Sequence, residues 1–231
     1  MADLASFTAS WTTRRRFNLD AIAGTLRALQ RAYPRVNPAL KDRRDPLDDD
    51  VIHNMLAGYA MVDGLVADGV DLFGHGQLKS WLDINALVLC GDDAIHPERV
   101  ADHLQATEER FYDDANGGIR DIMEWNERAR HQSVWKRAAG VYIRMVSEPQ
   151  LFPDGNHRSG VLVMSYMLAR EGHPPVVLTP ENATPFFDQS TTIKQMLKGS
   201  LAMMVGMTGL KRRLAEFLKD QAGDTYLLPT R

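Results

Sequence analysis

The stretch QLFPDGNHRSG, residues 150–160, places a dense polar cluster directly before the most apolar helical pattern of the chain. Leu151 and Phe152 are apolar enough to anchor the segment inward, and Pro153 stiffens it. Gly155 permits a backbone conformation that other residues disfavour. The following residues have helical spacing over 156–171. The segment therefore predicts a tight turn that leads into a buried helix.

This turn has two interpretations that the residues alone leave open. The first amides of a helix have no partner within it and attract anions. Arg158 in the first turn opposes the helix dipole, and a bound anion would resolve that conflict. Asp154 beside it suits Mg²⁺, which binds through one or two carboxylates plus phosphates. However, Asp-Gly-Asn is also common turn and capping chemistry, and spacing alone favours this simpler interpretation.

Helical periodicity extends over most of the chain, so an all-α fold with eight to ten helices is expected. For one helix, within residues 45–69, Asp45 is expected to cap and Pro46 to take the first helical position. The PPVVLTP run is expected to be an edge strand or a loop, because it begins with two prolines. The remaining helices are expected over residues 18–33, 76–89, from about Pro97, within 117–132 and 133–148, over 156–171, and within 191–207 and 209–221.

Composition is that of an ordinary globular protein of 231 residues, with 44% hydrophobic and 25% charged residues. The net charge of −3 gives no reason to expect a nucleic-acid or membrane partner. The single cysteine excludes an intrachain disulfide and favours a reducing compartment. No apolar run approaches the ~18 residues of a membrane span, so a cytoplasmic protein is expected. Nothing in the sequence indicates the oligomeric state.

At this point the sequence resembles the Fic (Fido) family, whose motif is H-P-F-x-D/E-G-N-G-R-x-x-R. Five motif positions match in register: Phe152, Asp154, Gly155, Asn156 and Arg158. The preceding WKRAAGVYIRMVSEP segment resembles the family helix that leads into the motif. The resemblance covers about residues 45–220. It suggests an N-terminal arm and helix over 1–44, a Fic-like helical domain over 45–221 and a tail over 222–231.

The resemblance implies a multi-helix fold that binds a phosphate-containing donor, usually ATP, with Mg²⁺. It implies that Asp154 holds the metal. The amides of Gly155, Asn156 and His157 would then form an anion hole, and Arg158 would reach a donor phosphate. The usual reaction of the family transfers AMP to a Ser, Thr or Tyr hydroxyl of a target protein, and other members transfer other phosphate-linked groups.

The chain departs from the motif at Gln150, Leu151, His157 and Val161. Gln150 occupies the position of the catalytic histidine, and a neutral amide cannot accept a proton near pH 7. Its loss as a base would slow transfer by roughly 10²–10⁴-fold. His157 has three possible roles: a displaced base, a metal ligand or, more commonly for such a residue, a structural hydrogen-bonding group.

Val161 removes a cation that grips the terminal phosphate in the family, and the family's inhibitory glutamate is also missing. Lys198 stands where that glutamate would be expected. Three hypotheses remain. The first is a transferase with a non-standard base, and the alternative is an inactive pseudoenzyme that binds a nucleotide or anion as a regulator or interaction module. The third is a scaffold without a ligand, against which the retained Asp154 and Arg158 argue.

Overall fold

The computed structural model describes residues 15–91 and 101–229, and within these ranges the protein is all-α. There is no strand in these ranges, only the isolated bridges Phe17–Leu227 and Glu148–Leu197. The helices are α1 (Leu19–Val36), α2 (Asp49–Ala67), α3 (Leu78–Cys90), α4 (Ala101–Phe111), α5 (Ile119–Arg128), α6 (Val134–Val146), α7 (Asn156–Arg170), α8 (Ala183–Lys194) and α9 (Leu201–Asp220). The predicted fold class is thus confirmed.

Helix α7 forms the centre of the molecule. Its residues from Ser159 to Ala169 are all buried, since they are apolar or small around the whole helix circumference. It packs against α6, α2 and α3, and α6 also packs against α9. The first turn of α7 therefore starts inside a ring of other helices, and that position sets the location of the candidate site.

Two glycines allow this close packing around α7. Gly58 of α2 lies directly against the Leu162 side chain, where an added Cβ would overlap Leu162 Cδ1. Gly160 of α7 lies against the Tyr142 ring, with an ideal Cβ position only 2.7 Å from Tyr142 Cδ2. Larger residues at either position would force the neighbouring helix away.

The start of α2 differs from the prediction. Its cap is Asp48, whose carboxylate accepts a hydrogen bond from Val51 N at 2.9 Å. Asp45 and Pro46 instead belong to an extended connector that precedes the helix. Several acidic residues close together make the cap ambiguous from sequence, because each of them is a favourable capping residue.

The helix predicted within residues 191–207 is also wrong. Helix α8 already begins at Ala183 and ends at Lys194, and α9 begins only at Leu201. Gly199 lies between them with a φ of 75°, a conformation that a helix does not continue through. The PPVVLTP run is extended but pairs with no strand in the described residues, and the helix start near Pro97 lies outside those residues.

Residues 15–17, which belong to the predicted N-terminal arm, are held against the helical core. Asp63 is buried in α2 and accepts hydrogen bonds from Arg16 Nε at 2.8 Å and Phe17 N at 2.9 Å. Arg15 forms an ion pair with Asp224 at 2.8 Å. Buried residues of α1 belong to the same hydrophobic core as α7. The division at residues 44 and 221 stays a prediction.

Candidate ligand site at the start of α7

The loop before α7 is braced by the side chain of Asn156. Its Oδ1 accepts a hydrogen bond from Phe152 N at 2.9 Å, and its Nδ2 donates to Phe152 O at 2.7 Å. Leu151 and Phe152 are buried as expected, and the Phe152 ring stacks on Phe111 at 5.6 Å between centroids. Asn156 was predicted to contribute its amide to an anion hole, and its side chain has this additional structural role.

Gly155 makes the turn possible, because its φ of 76° lies in the left-handed region. Its N–H donates to Asp154 Oδ1 at 2.6 Å. Asn85 of α3 supports the same turn by donating from Nδ2 to Asp154 O at 2.9 Å and to Ser159 Oγ at 3.1 Å. The neighbouring carboxylate thus already uses one of the three amides that were predicted to bind an anion.

The backbone ladder of α7 starts with the bond from Ser159 N to Gly155 O at 2.9 Å. The amides of Asn156, His157 and Arg158 precede this bond, so they lie at the positive end of the helix dipole. This end of α7 is therefore the part of the turn that attracts negative charge.

Arg158 has a protein partner that the sequence did not suggest. Its Nη1 donates to Val88 O, near the end of α3, at 2.7 Å. Cations stabilise the carbonyl ends of helices, so this bond offsets the repulsion of Arg158 from the start of α7. Arg158 nevertheless borders the cavity described below.

His157 lies in a small network of hydroxyl groups. Its Nδ1 is 2.7 Å from Ser190 Oγ and 3.0 Å from Tyr142 OH, and the two hydroxyl oxygens are 2.8 Å apart. Its Nε2 is buried without a hydrogen-bond partner. Burial, together with the nearby positive charges of Arg44 and Lys194, lowers the pKa of His157 to about 3. The ring is therefore neutral at physiological pH, and the geometry favours the structural role over the catalytic one.

Gln150 is held at both ends of its side-chain amide. Its Nε2 donates to Val146 O at 3.2 Å, and its Oε1 accepts from Asn156 Nδ2 at 3.2 Å. These bonds keep the amide at the edge of the cavity but use its donor and its acceptor in the fold. Its predicted catalytic contribution is not tested by this geometry.

A cavity of about 440 Å³ lies in front of α7, between α1, α2, α8 and the connector that joins α1 to α2. Its apolar lining is Leu26, Leu29, Tyr33, Leu47, Val51, Ile52, Met55, Tyr59, Val161, Leu178, Phe186 and Phe187. Its charged lining is Arg43, Arg44, Arg158 and Lys194 with Asp42, Asp45 and Asp154. Gln150, Gly155, Asn156 and His157 complete the wall. The structure therefore brings all the predicted site residues together around one space.

The contribution of the connector, residues 37–48, to the cavity wall was not predicted from the sequence. Arg44 reaches α8, where its Nη2 donates to Thr191 Oγ1 at 3.0 Å and its guanidinium lies 5.5 Å from the Phe187 ring centroid. No local pattern signals this contact, because it joins two segments that are distant in the sequence.

The residues present fit a magnesium ion only in the company of a phosphate ligand. The described residues include no group of three or more His, Cys, Asp or Glu side chains that could hold a metal. Asp154 is exposed at the cavity wall and offers one carboxylate. Mg²⁺ bound through one carboxylate, phosphate oxygens and water matches this donor set.

No described helix is long and apolar enough to cross a membrane.

No family model and no curated protein matches the chain. Among solved structures, a fragment of Fic-1 from C. elegans is similar with a TM-score of 0.43 and 18% identity, over 88% of this chain and 60% of that one. A single-residue variant of the same fragment gives a TM-score of 0.43 and 19% identity, over 87% of this chain and 59% of that one. The chain thus spans about 60% of the length of these structures.

Proposed function

We propose that the cavity in front of α7 binds a phosphate-bearing small molecule of the nucleotide class, and that the chain acts as a binding module with little or no group transfer. One observation carries this proposal: helix-start amides, several cations and a wide apolar wall border the same cavity of about 440 Å³. Ligand pockets of this size combine apolar walls with a few polar groups that fix orientation. The resemblance of residues 150–161 to the Fic motif supports the same class of ligand.

The two kinds of lining correspond to the two parts of a nucleotide. Helices α1 and α2 supply apolar side chains such as Leu29, Ile52 and Met55, which suit a base or ribose face. The start of α7 and the connector supply the positive charge that suits phosphate. The four basic side chains exceed the three acidic ones, and the positive end of the helix adds to this excess.

Asp154 is the residue that would hold Mg²⁺ together with the phosphates. Its Oδ1 already accepts the Gly155 amide at 2.6 Å, which fixes the orientation of the carboxylate. The ion, when bound, would neutralise phosphate charge next to an acidic side chain. Without Mg²⁺ the Asp154 carboxylate repels the phosphate groups, so the ligand is expected to bind more tightly with Mg²⁺ than without it.

Both candidate bases argue against efficient transfer. The amide of Gln150 carries no basic lone pair at neutral pH. A pKa of about 3 makes His157 a poor general base, since the ideal value lies near the operating pH. We therefore infer that transfer of AMP to a Ser, Thr or Tyr hydroxyl of a target protein is slow or lost.

A transferase with a non-standard base is the second candidate. Gln150 borders the cavity, so a substrate hydroxyl beside it would lie close to a bound donor. Phosphoryl-type transfer depends largely on positioning and charge neutralisation, which this cavity could still supply. The transferred group would be AMP or another phosphate-linked group.

Calorimetry of the purified chain tests the binding proposal. The titrants are ATP, ADP, AMP, adenosine and CDP-linked donors, each with and without Mg²⁺. We expect a phosphate-bearing titrant to bind and adenosine to bind far more weakly, with Asp154→Ala removing the benefit of Mg²⁺. The absence of binding by every phosphate-bearing titrant would refute the proposal.

Transfer is tested separately with labelled ATP and intact-protein mass spectrometry. The chain and its Gln150→His variant are incubated under identical conditions. Self-labelling by the variant but not by the unmodified chain supports a binding module whose base was lost. Labelling by the unmodified chain, or of a protein added to it, would favour the transferase instead.

A further inference from the structure

We propose that Arg44, on the connector between α1 and α2, is the side chain that grips the phosphate of the ligand in this cavity. The proposal rests on the proposed function, because it names the residue that would give the site its preference for phosphate. Its argument depends on how the connector is fixed, on what the guanidinium contacts, and on where it lies relative to α7.

The backbone at Arg44 is fixed from both sides by one asparagine. Asn37 Oδ1 accepts from Arg44 N at 2.8 Å, and Asn37 Nδ2 donates to Arg44 O at 2.9 Å. Three residues earlier, Lys41 N donates to Asp188 Oδ1 of α8 at 3.0 Å. These bonds fix the backbone of the connector, and the contacts of the guanidinium with Thr191 and Phe187 hold the side chain, so a ligand would have less to order on binding.

The guanidinium of Arg44 is only partly satisfied by the protein. Its Nη2 donates to the neutral hydroxyl of Thr191, and its Nε is buried without a hydrogen-bond partner. The described part of the chain provides no ion pair for it. Arg44 borders the cavity, and a half-buried cation without an ion pair is unfavourable, so its remaining N–H groups are suited to phosphate oxygens.

Arg44 also faces the start of α7. Its partner Thr191 directly follows Ser190, whose hydroxyl lies 2.7 Å from His157 Nδ1 in the first turn of α7. Burial lowers the pKa of His157, and the positive charge of Arg44 adds to that effect. Burial raises the pKa of Tyr142, and the charge of Arg44 partly offsets that rise, so Arg44 is close to both groups. An anion at the first amides of α7 would therefore lie within the field of this guanidinium.

The other cations of the cavity differ from Arg44 in exposure or in partner. Arg43 and Lys194 are exposed, so water screens their charges. Arg158 donates to the carbonyl of Val88 and is partly satisfied by it. Charges in a less solvated position act more strongly on a ligand, which singles out Arg44.

The experiment compares four proteins: the unmodified chain, Arg44→Gln, Arg44→Lys and the matched control Lys41→Gln. Lys41 lies on the same connector, is exposed and does not border the cavity. Calorimetry with Mg²⁺ uses inorganic pyrophosphate, ADP and adenosine as probes, and thermal unfolding verifies that each variant is folded.

We expect Arg44→Gln to weaken pyrophosphate and ADP binding by about 10- to 100-fold, because the variant loses charge-assisted hydrogen bonds to phosphate. Arg44→Lys should retain part of the affinity, and Lys41→Gln should retain all of it. If Arg44→Gln does not fold, Arg44→Lys is compared with Lys41→Gln instead. Weaker pyrophosphate binding by Arg44→Lys supports the inference, and equal binding overturns it.

The outcomes separate the two proposals. If the unmodified chain binds neither pyrophosphate nor ADP, the proposed function fails and this inference fails with it. If the unmodified chain binds them, and Arg44→Gln and Arg44→Lys bind them as tightly as the unmodified chain does, the inference alone is overturned. A loss of adenosine affinity as large as the loss of ADP affinity would also overturn it, because Arg44 would then shape the cavity without selecting phosphate.

Discussion

Replacing Gly155 with alanine is expected to destabilise the protein through the turn that carries the candidate site. Gly155 has a φ of 76° and is buried. An ideal Cβ on it would lie 2.8 Å from Asn85 Nδ2 and 3.1 Å from Leu89 Cγ. Asn85 is fully buried and holds both Asp154 O and Ser159 Oγ, so it cannot move aside without losing those bonds.

The magnitude follows from two contributions. The left-handed conformation costs a residue with a side chain about 1–2 kcal/mol. Displacing Asn85 weakens two hydrogen bonds that each contribute about 0.5–1.5 kcal/mol. The free energy of unfolding should therefore fall by about 2–5 kcal/mol. In a protein of this length, each kcal/mol lowers the melting temperature by about 2–4 °C.

The assay is urea unfolding followed by circular dichroism, with Gly172→Ala as the matched control. Gly172 has a φ of 81° and no atom within 4 Å of its Cβ position, so its replacement carries the conformational cost without the crowding. Gly155→Ala should be more destabilising than the control by about 1–3 kcal/mol. Equal effects of the two substitutions would refute the proposed coupling between the turn and Asn85.

Two further predictions concern packing and pH. Gly58→Ala in α2 should lower the free energy of unfolding by about 1–3 kcal/mol, because the added Cβ overlaps Leu162. Gly64→Ala in the same helix has no atom near its Cβ position and should raise that free energy by about 0.5–1 kcal/mol. Urea unfolding measures both changes. The pKa of His157 is lowered from 6.5 to about 3 in the folded protein, so between these pH values the unfolded chain binds one more proton than the folded one. The free energy of unfolding should therefore fall by about 1.4 kcal/mol for each pH unit as the pH is lowered through this window. In urea unfolding from pH 7 to pH 4, His157→Gln should reduce the dependence of the free energy of unfolding on pH, whereas His131→Gln, at an exposed histidine, should not. An unchanged pH dependence in His157→Gln would contradict the lowered pKa of His157.

The helices could be predicted from sequence where apolar spacing was strong and interruptions were few. α1, α3 and α7 lie within one to three residues of their predicted ends. The errors fall where several residues compete for one role. Asp45 and the three adjacent aspartates at 48–50 could each cap α2, and in the structure Asp48 does so. Likewise, periodicity ran across residues 195–200, while Gly199 bent the chain there.

The site was predictable to the extent that it is local. Residues 150–158 form one contiguous segment, a turn followed by the first residues of α7, so their chemistry could be interpreted in sequence order. Three residues from other segments complete the site: Asn85 holds Asp154 O, Ser190 contacts His157, and Arg44 borders the cavity. Nothing in the sequence around them indicates these contacts. Sequence spacing is informative within one helix or turn, but packing between distant helices decides which side chains meet.

The structure also changes which residue argues for an anion. From sequence, Arg158 is unfavourable at the start of a helix unless a negative ligand faces it. Its bond of 2.7 Å to Val88 O supplies a sufficient partner within the protein, so Arg158 by itself no longer requires a ligand. Arg44 is in the opposite position, since its partner is a neutral hydroxyl and its Nε has none. The argument for a negatively charged ligand in this cavity therefore rests more on Arg44 of the connector than on Arg158.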